Sequence, residues 1–108
     1  MTKTASAPDS VPFKLDLHGA FLRRTDLSRA NLTRANLARA DFTNAIFRGA
    51  DFKDAILDGT VLRGADLTDA KNLTSSQLRK AILDETTILP EGLSLRDTAA
   101  DREQVNGP

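Results

Sequence analysis

The chain has no cysteine, no tryptophan and no tyrosine in its 108 residues. Without cysteine there are no disulfide staples, no thiolate metal sites and no cysteine nucleophile. With only five Phe and a hydrophobic share of 40%, the inventory is lean for an ordinary globular core. A domain of this size also buries only a modest fraction of its surface. Net charge is absent as well: 15 Lys and Arg balance 15 Asp and Glu. At whole-chain level that argues against a nucleic-acid binder and against a strongly acidic mimic. No window approaches the roughly 18 apolar residues of a membrane span, and Met1 to Pro12 lacks the apolar core of a secretory signal. A cytoplasmic protein with no membrane association is the expectation.

What is present is order along the chain. Residues 1–12 and 96–108 are small and polar, with too little apolar surface to offset the entropy of ordering, and are expected to be flexible tails. Between them the sequence repeats every five residues. Written in quintets from Leu15, the third position is Leu or Phe eleven times in succession: Leu17, Leu22, Leu27, Leu32, Leu37, Phe42, Phe47, Phe52, Leu57, Leu62 and Leu67. The first position is Ala in eight quintets, Thr in two (Thr25, Thr60) and Leu in one (Leu15). The second is Asp or Asn in seven, and the rest are mostly polar, charged or Gly.

A period of five suits neither regular element. On a helix, residues five apart drift around the axis and make no stripe. On a strand, an odd period would swap faces at every repeat. The chain must therefore turn once per quintet, pointing first and third residues inward. The pattern A-(D/N)-(L/F)-x-x, unbroken over 55 residues, resembles the pentapeptide-repeat family. The resemblance implies an all-β solenoid, a right-handed quadrilateral β-helix with four quintets per coil. Eleven quintets give about three coils, over residues 13–70. The eleven third-position residues are then the structural core, with Phe42, Phe47 and Phe52 meeting in its widest layer. Gly at fifth positions suits corners of positive φ, and the second-position Asp and Asn suit turns.

Residues 71–95 read as a C-terminal cap. Thr74 or Ser75 can start a short helix of about two turns, with Leu78, Ile82 and Ala81 on its apolar face. Ala81 to Glu85 resembles one further quintet. Such a segment protects an otherwise bare coil edge.

No catalytic, cofactor or metal site is expected. The single His, His18, is a surface residue with no Cys or second His to join it. The second-position Asp residues form no ladder, because stacking in fours gives the columns Asp16–Asn36–Ile56, Phe21–Asp41–Val61, Asp26–Ile46–Asp66 and Asn31–Asp51. Two surface features remain. Arg24, Arg29, Arg34 and Arg39 occupy consecutive fifth positions. Residues 15–39 hold five Arg and two Asp, net +3, and residues 40–69 hold six Asp against Arg48, Lys53 and Arg63, net −3. The bland reading is a solvated surface of weak ion pairs; the sharper one is end-to-end association or capture of an anionic partner. Phe21, Ile46, Ile56 and Val61 stand at outward second positions normally polar, and are the candidate contact surface.

These readings converge on a non-enzymatic protein–protein interaction or scaffolding module, its partner unidentified, with a homodimer among the options and direct nucleic-acid binding disfavoured for want of interleaved aromatics. The family resemblance also implies an alternative, a DNA-mimicking modulator of DNA gyrase or another nucleic-acid-binding protein. That mechanism requires a long, strongly negative rod, whereas this chain has about three coils and no net charge.

Overall fold

A computed structural model describes residues 15–95. The expected tails at 1–12 and 96–108, and the first two residues of the expected solenoid, lie outside the described residues. Within them the ladder is made of isolated parallel bridges between residues twenty apart: Asp16 with Asn36, Phe21 with Asp41, Asp26 with Ile46, Asn31 with Asp51, and upward through Ile56, Val61, Asp66 and Lys71. Twenty residues are four quintets, so each coil has four sides, identified here by their first second-position residues Asp16, Phe21, Asp26 and Asn31. The columns are those read from the sequence.

Each backbone N–H of a quintet has a defined place, as burial of polar groups requires. The second N–H donates down to a first-position carbonyl (Val61 to Ala40, 2.9 Å) and the third donates up to a second-position carbonyl (Phe42 to Val61, 2.9 Å). The fifth also donates up (Asn44 to Arg63, 2.8 Å), and the first closes a turn onto the third carbonyl of its predecessor (Ala45 to Phe42, 2.9 Å). The fourth N–H is taken by the side chain at the second position. All seven Asp and Asn there accept it: Asp16, Asp26, Asn31, Asn36, Asp41, Asp51 and Asp66.

The corners are left-handed at every fifth position. Gly fills four of them (Gly19, Gly49, Gly59, Gly64), but Arg24, Arg29, Arg34, Arg39, Asn44, Asp54 and Asp69 also carry φ between 57° and 63°. For a non-glycine residue this backbone costs about 1–2 kcal/mol, which an upward hydrogen bond from the corner N–H helps to offset at Arg24, Arg29, Arg34, Arg39 and Asn44. Stacked corners also need room. Arg39 Cγ lies over Gly59, 3.1 Å from where a β-carbon would stand, and a β-carbon at Gly64 would collide with Asn44 Oδ1.

The axis is filled by the third residues. Leu32, Leu37, Phe42, Phe47, Phe52, Leu57, Leu62 and Leu67 are buried. Phe47 sits between Phe42 and Phe52, with ring centroids 5.0 and 5.3 Å away, in the tilted and edge-on arrangements aromatic rings favour. The first residues are buried beside them from Ala35 to Ala65. Thr60 replaces Ala there because its hydroxyl donates to the Leu37 carbonyl, 2.7 Å away. Leu17, Leu22 and Leu27 correct the expectation of a uniform core: they are only half-buried, because no described coil lies beneath the first.

Past Ala70 the solenoid does not simply stop. Lys71 bridges Asp51, Ile82 bridges Val61, and Ile88 bridges Asp66, now with one and then two extra residues per coil. Two sides therefore rise four tiers and two sides three. Above Ile56 the fourth tier is replaced by a helix, α1, Ser75–Arg79, with Thr74 as N-cap in a reciprocal capping box with Gln77. It is shorter than the two turns expected. Ile82 belongs to the bridge with Val61 and not to the helix face, since the chain has already left the helix at Lys80. The Gln77 amide donates to the carbonyls of Phe52 and Ala55 at 2.9 and 3.0 Å, and the buried Leu78 joins the core. In a regular coil a backbone N–H would reach the Ala55 carbonyl.

Two mutational outcomes follow from this packing. Leu37→Ala should lower the unfolding free energy by about 2–5 kcal/mol, measured by urea titration, while Leu22→Ala in the half-open first coil should cost distinctly less. Gly64→Ala should cost about 1–2 kcal/mol for the left-handed backbone alone, and more because Asn44 must turn away; Gly19→Ala, with no atom near its added carbon, should show the backbone cost only.

Candidate interaction surface

The outward residues are positioned by the same step that fills the axis. Second-position side chains project from the middle of each side, and fifth-position side chains from the corners. Consecutive quintets therefore send equivalent residues in four directions. Arg24, Arg29, Arg34 and Arg39 are all exposed, and the coil carries each to a different corner. No basic cleft results. The stems of Arg29 and Arg39 lie over the glycine corners of the next coil.

The four apolar second positions differ from one another. Phe21 is 84% exposed and Ile56 43%. Ile46 and Val61 are half-buried between the neighbours of their columns. Ile56 and Val61 lie on adjacent sides of one coil, Phe21 shares a column with Val61 two coils away, and Ile46 stands alone between Asp26 and Asp66. Sequence reasoning missed Ile82 and Ile88, at 38% and 51% exposure. Ile82 extends the apolar column above Val61, and Ile88 sits above Asp66. The quintet reading of Ala81 to Glu85 held the signal for Ile82, because it makes Ile82 a second-position residue. The inserted residues obscured it for Ile88.

The shifted carboxylates among the described residues all move in one direction. Asp16, Asp26, Asp41, Asp51, Asp66 and Asp84 all sit below the ordinary carboxylate range. The cause is a hydrogen bond from a neighbouring side chain for Asp16 (the His18 ring), Asp26 (Ser28), Asp41 (Thr43), Asp51 (Asn72) and Asp84 (Thr86), reinforced in each by a backbone N–H. For Asp66 burial pushes the other way, and bonds from Thr68 and Arg48 outweigh it. Among the described residues no three His, Asp or Glu converge as a metal site would need, and two surface depressions of about 400 Å³ each are open grooves along coil corners. Arg48 pairs with Asp66 at 3.1 Å and Arg23 with Asp41 at 4.0 Å, both exposed links between successive coils and weak for that reason.

The five-residue step, the twenty-residue ladder and the axial Leu and Phe agree with a direct comparison: residues 15–49 and 45–84 match the family described as Pentapeptide repeats. The chain belongs to the pentapeptide-repeat family. Proteins of this family fold as right-handed quadrilateral β-helices and are typically structural or interaction proteins, not enzymes. Among solved structures the chain is similar to a pentapeptide repeat protein from the cyanobacterium Cyanothece 51142, with 29% identity and a TM-score of 0.60, covering 68% of this chain and 50% of that one. It is also similar to one from Nostoc Pcc 7120 (28% identity, 79% and 74% coverage, TM-score 0.39). A third, from the thylakoid lumen of Arabidopsis thaliana, has 24% identity, 82% and 70% coverage and a TM-score of 0.33. The repeat chain thus spans half the length of the Cyanothece protein. No curated protein matches it.

The lowered carboxylates of the repeat carry a pH dependence. A folded-state pKa below the unfolded value stabilises the fold above the unfolded pKa, and that stability drains away as pH falls through the folded pKa. Thermal melting should therefore hold steady near neutrality and fall as the pH drops through and below about 4. Asp41→Asn keeps the acceptor for the Thr43 N–H, so it should preserve the neutral-pH melt and flatten the acid slope.

Proposed function

We propose that this pentapeptide-repeat chain is a non-enzymatic interaction module that presents a rigid, faceted surface to a protein partner. The observation that carries the reading is the apolar set on adjacent sides of the upper coils: exposed Ile56, half-buried Val61 and, bridged to Val61, exposed Ile82. These are second positions, which elsewhere hold the Asp or Asn that closes the turn. Their occupants give up that hydrogen bond, so an apolar residue there trades local stability for contact area. Repeat solenoids commonly bind through such continuous surfaces. In the same reading α1, Gln77 and Leu78 form the cap of the Asp16 side, holding the coil beneath the surface closed. The Arg corners spread in four directions support neither a groove for nucleic acid nor the negative rod of a duplex mimic.

The 108-residue chain and an Ile56→Asp/Val61→Asp variant, both immobilised, test the reading against cell extract. Both substitutions point outward and should leave the circular dichroism unchanged. A stoichiometric partner retained by the native chain and lost from the variant is the expected result. Identical capture by both would remove Ile56 and Val61 from the binding surface.

A further inference from the structure

The solenoid has two ends, and their unsatisfied groups match. On the lower edge of the first coil, the N–H and C=O of Phe21 and of Asp26 have no hydrogen-bond partner among the described residues. On the upper edge, the same holds for the Leu83 N–H and Ala81 C=O above the Phe21 side, and for the Leu89 N–H and Thr87 C=O above the Asp26 side. These are the groups that join every internal pair of coils, as where Leu62 N–H reaches Ile82 C=O and Ile82 N–H reaches Thr60 C=O, each at 2.8 Å. The Asp16 side is closed above by α1 and Gln77, and the two sides that reach a fourth tier, those of Phe21 and Asp26, are open above.

The side chains agree with the backbone. Of the five large exposed hydrophobic residues among the described residues, Leu15 and Phe21 lie in the first coil and Ile82 and Ile88 in the last tier, with Ile56 between. Phe21 and Ile82 are the two ends of one column. Half-buried axial leucines flank both edges, Leu17, Leu22 and Leu27 below and Leu83, Leu89 and Leu93 above. Charge is complementary too. On the two open sides, residues 20–29 hold Arg23, Arg24 and Arg29 against Asp26, net +2, whereas residues 81–92 above them hold Asp84, Glu85 and Glu91 and no Lys or Arg, net −3; Arg79 and Lys80 lie on the side closed by α1. Two lower edges face to face would oppose Arg to Arg.

We propose that the two ends are complementary docking edges through which copies of this chain stack head to tail. In register, Phe21 of one copy continues the Val61–Ile82 column of the other, Leu83 N–H donates to its Phe21 C=O and Leu89 N–H to its Asp26 C=O. Glu85 then lies below Arg23 and Arg24, and Glu91 beside Arg29. The contact is heterologous, so it forms an open series and does not close at a dimer. It uses the ends and shares only Ile82 with the lateral Ile56 and Val61 surface, so either reading can fail alone.

Sedimentation velocity of the full chain over a wide concentration range, in about 0.05 M and about 0.5 M salt, reads this directly. The expected result is a weight-average mass that climbs past the dimer with concentration at low salt and falls back at high salt. Arg23→Glu/Arg24→Glu/Arg29→Glu and Glu85→Arg/Glu91→Arg should each be monomeric. Mixed in equal amounts they should associate again, since each then finds an end of opposite charge. Circular dichroism of both variants checks the fold; with changes at opposite ends, either one carries the test if the other fails to fold. A native chain monomeric at every concentration, a closed dimer untouched by the charge reversals, or a mixture that stays monomeric would each overturn the proposal.

Discussion

Everything in this molecule depends on the chain turning by the same amount every fifth residue. The turn is closed by one backbone hydrogen bond, fixed by a left-handed corner, and steadied in seven quintets by a carboxylate or amide that takes the fourth N–H. Four such turns return the chain to its starting column, where the second, third and fifth positions meet the coil above or below. Among the described residues no long strand forms and none is needed. Each side contributes a single bridged residue, and regularity supplies what a strand would supply by length.

From that geometry the core follows without further design. An axis lined by the third residue of each turn accepts one Leu or Phe per side, and the first residue, squeezed beside the turn, must be small. Three consecutive Phe give the second coil its widest layer, and Thr60 enters a position otherwise held mainly by Ala because its hydroxyl finds a carbonyl. Stability in such an array is approximately a sum of repeat and neighbour terms, so its ends are the weak and adhesive places. Here one end is half closed by α1 and inserted residues, and the other exposes three leucines partly to solvent. Self-stacking would relieve both at once, with the lateral apolar faces left for a different partner.

Much of this could be read from residue spacing. The inward first and third positions and the turn role of Asp16, Asp26 and Asp41 follow from period five, because a strict repeat fixes every equivalent residue together, and the columns follow from the four-quintet coil that the family resemblance implies. The corners were half legible: Gly59 announces positive φ, but Arg24 and Arg39 do not, since their conformation is imposed by neighbours. The insertions around Asp84 and Pro90 hid the continuation of the ladder to Ile88, and the short helix drew Ile82 to the wrong element. A departure from register carries no label in sequence.

By itself the sequence determined the repeat and the identity of the axial residues, because each rests on a local pattern repeated in phase; four quintets per coil came with the family the repeat resembles. Only the tertiary structure decided which apolar residues stay exposed, which corners bear strain and which edges remain unpaired. Those properties depend on what lies one coil above or below, about twenty residues away, and on where the stack ends.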